Sequence, residues 1–243
     1  MVDYLYDSSF EGFLTCVYCH YYEEKASGIF TSDQYQPSIL HSFLEINTDV
    51  EKAAKVYDAI EKKISSYDLQ RIYRVFRSAA DQREMLLLNY IRLGFKEGSK
   101  ISLLHGNPYV SPVEKTEKKV TSEIHRLLGL LRFSVLEGEV LYAVLEPDHD
   151  ILEFLAGHFT DRYKREPFII YDKRRSKALV AQEGEWYITA FTEENLPRLS
   201  AKEEEYRALW KKYFRTIAIK ERTNPRCQKN LMPVRYWKHL TEI

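Results

Sequence analysis

Apolar positions in the first 100 residues mostly recur at helical spacing and predict a helical layer packed on a small sheet. Residues 2–6 alternate in polarity as a short strand does, and residues 42–46 form a second possible strand. Apolar side chains every three or four positions predict a helix over residues 10–25. The same period predicts three further helices between residues 48 and 95. The N-terminal half is therefore expected to be mainly helical.

The second half of the chain mixes helical and strand periods. The predicted elements are, in order, a helix over 116–131, strands over 132–136 and 140–146, a helix over 151–163, strands over 168–171, 178–182 and 186–191, and a helix over 202–219. The order ββαβββ predicts an α+β module with a mixed, largely antiparallel sheet, followed by a C-terminal helix. Residues 221–243 show no clear period and are expected to dock onto this module as a tail.

This pattern predicts a mostly helical region over residues 1–105 and an α+β module over residues 106–243, with one continuous domain as the alternative. Helix caps follow from short polar side chains at the predicted starts. Asp7, Ser8 or Ser9 would cap the first helix, and Thr48 with Glu51 matches a capping box. The helix after residue 150 would be capped by Asp148 or Asp150, the two acids that precede it.

Composition and charge narrow the function classes. A hydrophobic fraction of 44% with 14% aromatics is that of a globular protein, and the formal net charge is zero. The charge is unevenly distributed, because residues 210–243 carry nine lysines and arginines against two glutamates. That surplus indicates either a basic patch for an anionic partner or a solvated, lysine-rich tail.

Two features predict a cytoplasmic protein with no membrane segment. Acidic residues follow Met1 where a signal peptide would be basic, and no window reaches the ~18 apolar residues of a membrane span. Cys16, Cys19 and His20 match the C-x-x-C-H pattern of covalent haem attachment. Because they lie within the apolar stripe of a predicted helix, two buried cysteines are the better interpretation. No cofactor is predicted.

The stretch from residue 123 to residue 177 concentrates titratable side chains and is the first place to seek a site. Its candidate acid–base groups are His125, Asp148, His149, His158 and Asp172. The spacing fits no zinc pattern of histidines or cysteines, and no metal is predicted. A histidine packed against the sheet and an aspartate capping a helix remain the structural alternatives.

Basic and aromatic side chains alternate in the tail, as stacking on bases combined with phosphate contacts would require. The candidate nucleic-acid contacts are Arg132, Arg162, Arg175, Arg222, Asn224, Arg226, Arg235, Tyr236 and Trp237. The alternative is that the tail aromatics lock this segment onto the domain while the cations stay outside. No phosphate-binding loop, dinucleotide fingerprint or G-x-S-x-G elbow occurs.

Several blocks carry a family resemblance from one end of the chain to the other. They are Tyr4 to Leu14, His125 to Phe133, Tyr142 to His149, Ala156 to Arg162, Ile170 to Arg175, and Glu221 to Glu242 with its Met-Pro-x-Arg-Tyr-Trp core. On these blocks the chain resembles an uncharacterised bacterial family of probable DNA-metabolism or DNA-repair proteins. Cys16 and Cys19 are not part of the family pattern.

The resemblance implies a DNA context. Members are typically encoded beside a radical-SAM protein, and related domains are fused to uracil-DNA glycosylases, so DNA and a radical-SAM protein are the implied partners. We therefore expect a DNA-repair-associated protein that binds nucleic acid. Two alternatives stay open: an enzyme acting on DNA or a nucleotide through the 125–175 cluster, and a subunit that binds only its protein partner.

Overall fold

The computed structural model describes residues 1–37 and 39–242, except for the side chains of Asn195 and Lys220. The chain divides into two units, Met1–Thr121 and Ser122–Ile243. The helix α5 (Ser111–Leu130) runs through this division. It begins five residues before its predicted start at residue 116.

The first unit is a helical layer on a parallel three-stranded sheet. Its strands are β1 (Val2–Tyr6), β2 (Ala26–Thr31) and β3 (Ser42–Glu45), arranged in the order β2-β1-β3. Its helices before α5 are α1 (Phe10–Tyr22), α2 (Val50–Lys63), α3 (Ser66–Phe76) and α4 (Arg83–Glu97), followed by a short 3₁₀ helix (Gly98–Leu103). Fully buried rings of Tyr4, Phe13 and Tyr90 lie in its core. The helical layer on a small sheet is thus as predicted.

The caps of the first unit differ from the prediction at one helix. Ser9 caps α1, since its hydroxyl accepts a hydrogen bond from the Gly12 amide at 2.8 Å. Asp49 caps α2, since its carboxylate accepts from two amides of the first turn. The predicted cap Thr48 is wrong, because its hydroxyl donates to Asp7 Oδ2 at 2.7 Å instead.

The C-x-x-C-H pattern lies inside this core. Cys16 and Cys19 are buried on α1, and burial raises the pKa of the Cys19 thiol to about 11. His20 Nδ1 accepts a hydrogen bond from the Ala26 amide at 3.1 Å, at the start of β2. The two cysteines are therefore part of the core of this unit, and His20 links the end of α1 to the start of β2.

The second unit contains the predicted ββαβββ order. Its strands are β4 (Ser134–Val135), β5 (Leu141–Leu145), β6 (Phe168–Asp172), β7 (Lys177–Gln182) and β8 (Glu185–Ala190). They pair in chain order, parallel between β5 and β6 and antiparallel elsewhere. Its helices after α5 are α6 (Leu152–Arg162), α7 (Glu203–Ile217) and α8 (Pro225–Leu231), with 3₁₀ helices at Glu193–Asn195, Lys220–Arg222 and Val234–His239. The α+β class and the mixed, largely antiparallel sheet are confirmed.

The predicted aspartate cap of α6 is wrong. Ile151 occupies the cap position without a side-chain hydrogen bond, while Asp150 pairs with Lys177. Asp148 belongs to the polar cluster around Glu123 described below. The helix is instead stabilised by burial of Leu155 and Phe159 on the face that packs toward the sheet. No helix in the described ranges has both the length and the apolar composition needed to cross a bilayer.

Candidate nucleic-acid interface

The carboxylate of Glu123 organises the polar cluster of the second unit. Its side chain is 2% exposed and accepts hydrogen bonds from the Asp148 amide at 3.0 Å and the His149 amide at 2.9 Å. The Tyr236 hydroxyl donates to the same carboxylate at 2.7 Å, and Arg235 donates to it at 2.9 Å. One buried charge therefore joins the turn after β5 to the C-terminal tail.

Arginines complete this cluster, which we call the Glu123 cluster. Arg235 also pairs with Asp148. The Arg175 guanidinium donates to the carboxylate of Asp172 at 2.9 Å and to the backbone oxygen of Asp148 at 2.6 Å. Burial raises the pKa of the Asp172 carboxyl, and the hydrogen bond from Arg175 opposes that rise. The donors of Arg175 and Arg235 are thus largely taken up by carboxylates and carbonyl oxygens of their own unit.

The predicted catalytic candidates do not all lie in one cluster. Asp148, His149 and Asp172 converge in the Glu123 cluster, and burial lowers the pKa of His149. His125 and His158 are exposed, and the contacts given for the described residues place neither of them in this cluster. His158 packs its ring against Phe159 at a centroid distance of 5.0 Å. Within residues 1–37 and 39–242, no three histidine, cysteine, aspartate or glutamate side chains converge as a metal site.

A second carboxylate, Glu242, ties the end of the tail to the candidate contact Arg132 and to Trp210 of α7. Its side chain is 3% exposed and accepts from Arg132 Nη2 at 2.6 Å and from Trp210 Nε1 at 3.1 Å. Burial alone would raise the pKa of Glu242, but the hydrogen bonds from Arg132 and Trp210 outweigh it and lower that pKa. The positions of the Arg132 guanidinium and the Trp210 indole are therefore set by one anion.

One concave feature of the second unit is a groove of about 820 Å³, which we call the aromatic groove. Phe133 and Tyr163 form one aromatic pair, with ring centroids 5.0 Å apart. Trp210 and Tyr213 of α7 form another, with centroids 5.7 Å apart and planes inclined by 31°. Its lining residues are Leu131, Arg132, Phe133, Arg162, Tyr163, Glu203, Tyr206, Arg207, Leu209, Trp210, Tyr213 and Thr241.

The arginines of the aromatic groove differ in whether their guanidinium groups are already paired with side chains of the protein. Arg132 is paired with Glu242, and Arg207 donates to Glu203 at 2.8 Å and to Ser134 at 2.6 Å. Arg162 is exposed, its guanidinium lies 5.7 Å from the Tyr163 ring centroid, and it has no ion pair with any described residue. Arg162 is therefore the groove cation with donors left for a ligand.

The sequence predicted Arg132 and Arg162 as contacts, but the α7 side chains of this groove were not predicted. A pattern that marks them is present, because Tyr206, Trp210 and Tyr213 follow the i, i+4, i+7 spacing of one helix face. Such a stripe normally predicts burial. In the structure Tyr206 is 58%, Trp210 40% and Tyr213 54% exposed.

The other tail candidates fall into two groups. Arg222 and Arg226 are exposed and have no ion pair in the described part of the chain. Asn224 caps α8 by accepting from the Cys227 amide at 3.0 Å, and Trp237 Nε1 donates to the Met232 oxygen at 2.8 Å. Tyr236 is 3% exposed. In this structure Asn224, Tyr236 and Trp237 make contacts that dock and order the tail.

Comparisons with known proteins give one family match. The family described as "Domain of unknown function (DUF4130)" matches residues 81–242, a range that includes the whole second-unit site. No curated protein matches. Among solved structures, a pGpG-specific phosphodiesterase, PggH from Vibrio cholerae, is similar over 74% of this chain and 81% of its own at 9% identity and a TM-score of 0.34. A likeness at that level carries no inference about fold or activity.

Proposed function

The chain belongs to the DUF4130 family, and from that premise we propose that it is a nucleic-acid-binding protein of DNA metabolism and repair. The proposed binding surface is the aromatic groove with its neighbouring cations. One observation carries the proposal: exposed aromatic rings line the same groove as an arginine that forms no ion pair with the described residues. That combination suits a polymer whose units pair a flat base with a phosphate.

The chemistry of the groove favours nucleic acid over a purely apolar ligand. Base–aromatic stacking contributes about 1–3 kcal/mol per base and tolerates any sequence, because every base has a π face. Arg162 supplies a charged donor beside the rings, and arginine forks match phosphate geometry. The exposed cations Arg222 and Arg226 add further positive charge to the same unit.

The family resemblance supports DNA as the nucleic acid and a radical-SAM protein as the functional partner. Both are part of the proposal. Mixing the purified chain with the radical-SAM protein proposed as its partner, followed by size-exclusion chromatography, tests the second part. Co-elution is expected, and separate elution at micromolar concentrations would count against the partnership.

Binding to a labelled single-stranded oligonucleotide, followed by fluorescence anisotropy, tests the first part. The affinity should fall steeply between about 50 mM and about 200 mM salt, because phosphate contacts release counterions. Arg162→Ala should weaken binding and reduce the salt slope. Arg198→Ala is the matched control, since Arg198 is exposed in the same unit and does not line the groove. Absence of binding at low salt, or equal loss in the two variants, would refute the proposal.

A further inference from the structure

We infer that the aromatic groove holds a single nucleobase that has left the helical stack. The preferred ligand is then DNA with an unpaired or extrahelical base, and matched duplex is disfavoured. This inference rests on the proposed function and names its substrate class.

The concave shape of the groove favours a protruding base over an intact duplex. Proteins that bind intact duplex insert a convex element, such as a helix or a β-ribbon, into a groove about 12 Å wide. The feature here is an open hollow of about 820 Å³, and this volume is within the range of small-ligand sites. A hollow accepts a group that protrudes from the DNA, and an extrahelical base is such a group.

The aromatic lining of the hollow also favours an extrahelical base. Phe133 and Tyr163 supply rings from outside α7, and Trp210 and Tyr213 supply rings from α7 itself. A base entering the groove therefore meets aromatic surface from separate elements. Enzymes and binding proteins that extract a base offset its lost stacking with such aromatic contacts.

One ring of the groove is held in place before any ligand binds. The Trp210 indole is fixed by the buried Glu242 carboxylate, which also fixes Arg132. Immobilising a flexible side chain on binding costs conformational entropy, so a ring that is already fixed binds a base at lower cost. Glu242 is thus a positioning residue, and it acts on the base only through Trp210. Arg162 at the groove is placed for a phosphate next to the extracted base.

The test uses 2-aminopurine, a base whose fluorescence reports stacking, in three oligonucleotide forms. They are a single strand, a duplex with 2-aminopurine in a one-base bulge, and the matched duplex. The bulged duplex should bind about tenfold more tightly than the matched duplex, and its fluorescence should change on binding because the base restacks on protein rings. Trp210→Ala should abolish both effects.

Two further variants separate stacking from a general loss of structure. Trp186→Ala is the matched control, since Trp186 is also 40% exposed in the same unit and does not line the groove; both effects should persist in it. Glu242→Gln keeps the size of the side chain but loses the charge. It should reduce the fluorescence change and the bulge preference while the circular dichroism spectrum stays that of the parent. If Glu242→Gln prefers the bulged duplex as strongly as the parent protein does, Glu242 does not position Trp210 for the base.

The failures of the two proposals are distinguishable. If all three DNA forms bind equally, with a salt slope that depends on Arg162 and no change in 2-aminopurine fluorescence, the extracted-base inference is overturned and the proposed function stands. If free deoxynucleoside monophosphates compete as well as the bulged duplex, the groove serves free nucleotides and the inference is again overturned. If no DNA form binds, both proposals fail.

Discussion

The Tyr236 hydroxyl donates to Glu123 Oε1 at 2.7 Å, although 113 residues separate the two in the chain. This contact brings the C-terminal tail to the second half of α5, where the same carboxylate also accepts from the Asp148 and His149 amides. This buried anion accepts from four donors in two segments, the turn after β5 and the tail, and so fixes where the tail docks. The tail is therefore an integral part of the second unit.

Replacing Glu123 by alanine should destabilise the second unit by about 1–3 kcal/mol, because the change leaves the buried Tyr236 hydroxyl and the amides of Asp148 and His149 without their acceptor. Urea unfolding followed by tryptophan fluorescence measures this unit alone, since all three tryptophans (Trp186, Trp210 and Trp237) lie in it. The matched control Glu166→Ala, at an exposed glutamate, should change the free energy of unfolding by less than about 0.5 kcal/mol. Similar midpoints for the two variants would contradict the role assigned to Glu123.

Two glycines provide a paired test of packing against helix propensity. A Cβ on Gly12 would lie 2.8 Å from Thr48 Oγ1 and 2.9 Å from Ser9 Oγ, and closer still to Asp7 Oδ1. These groups are fixed by their mutual hydrogen bonds, so Gly12→Ala should destabilise by about 1–3 kcal/mol despite the better helix former.

Gly157 lies on the exposed side of α6, and a Cβ there would meet nothing within 4 Å. Gly157→Ala should stabilise the protein by about 0.5–1 kcal/mol through helix propensity. Thermal melts followed by circular dichroism should give shifts of opposite sign for the two variants. Two shifts of the same sign would show that one of the two environments is misassigned.

The order of elements in the second unit was predictable because each strand is short, alternating and separated by turn residues. β2 was not predicted. It is parallel and buried along most of its length, so it shows no alternation, and a glycine such as Gly28 is more typical of a helix end or a turn than of a strand. In the structure Gly28 allows the close approach of Phe30 and Asp3.

The candidate site was predictable only in part. The sequence located the titratable stretch and the basic tail, but the convergence of Glu123 with Asp148 and Arg235 spans 25 and 112 residues. No periodic signal reports such a contact. The aromatic groove was missed because the apolar face of α7 predicts burial from sequence, whereas its rings are half exposed.

Stability of the first unit should fall as pH drops below about 6.5. Burial lowers the pKa of His20, and the nearby charges of Arg92 and Lys25 lower it further. Between the folded and unfolded pKa values only the unfolded chain binds the proton, so acid favours unfolding. Protonation at Nδ1 would also end the hydrogen bond from the Ala26 amide.

His20→Asn offers a carbonyl acceptor that does not titrate, so it tests this assignment. Melting temperatures at about pH 7.5 and about pH 5.5 should differ less in the variant than in the parent protein. His149 and His239, whose pKa values are also lowered by burial, titrate in both proteins and therefore cancel in the comparison. An equal loss in the two proteins would show that His20 does not carry the pH dependence.

The arginines of the second unit should divide into two classes when they are removed. Arg222 and Arg226 are exposed and have no ion pair among the described residues, so the double alanine variant should lower the salt slope of single-stranded DNA binding by about 0.7 per lost contact and leave unfolding unchanged. Arg175→Ala should behave in the opposite way. It leaves the fully buried Asp172 without its guanidinium partner, which costs about 3 kcal/mol or more, and the slope for the protein that remains folded should not change. Anisotropy titrations at several salt concentrations, with urea unfolding of the same samples, measure both quantities. The opposite result would be a smaller salt slope in Arg175→Ala with an unchanged free energy of unfolding. It would show that Arg175 contacts DNA, because a phosphate would then replace Asp172 as its partner when DNA binds.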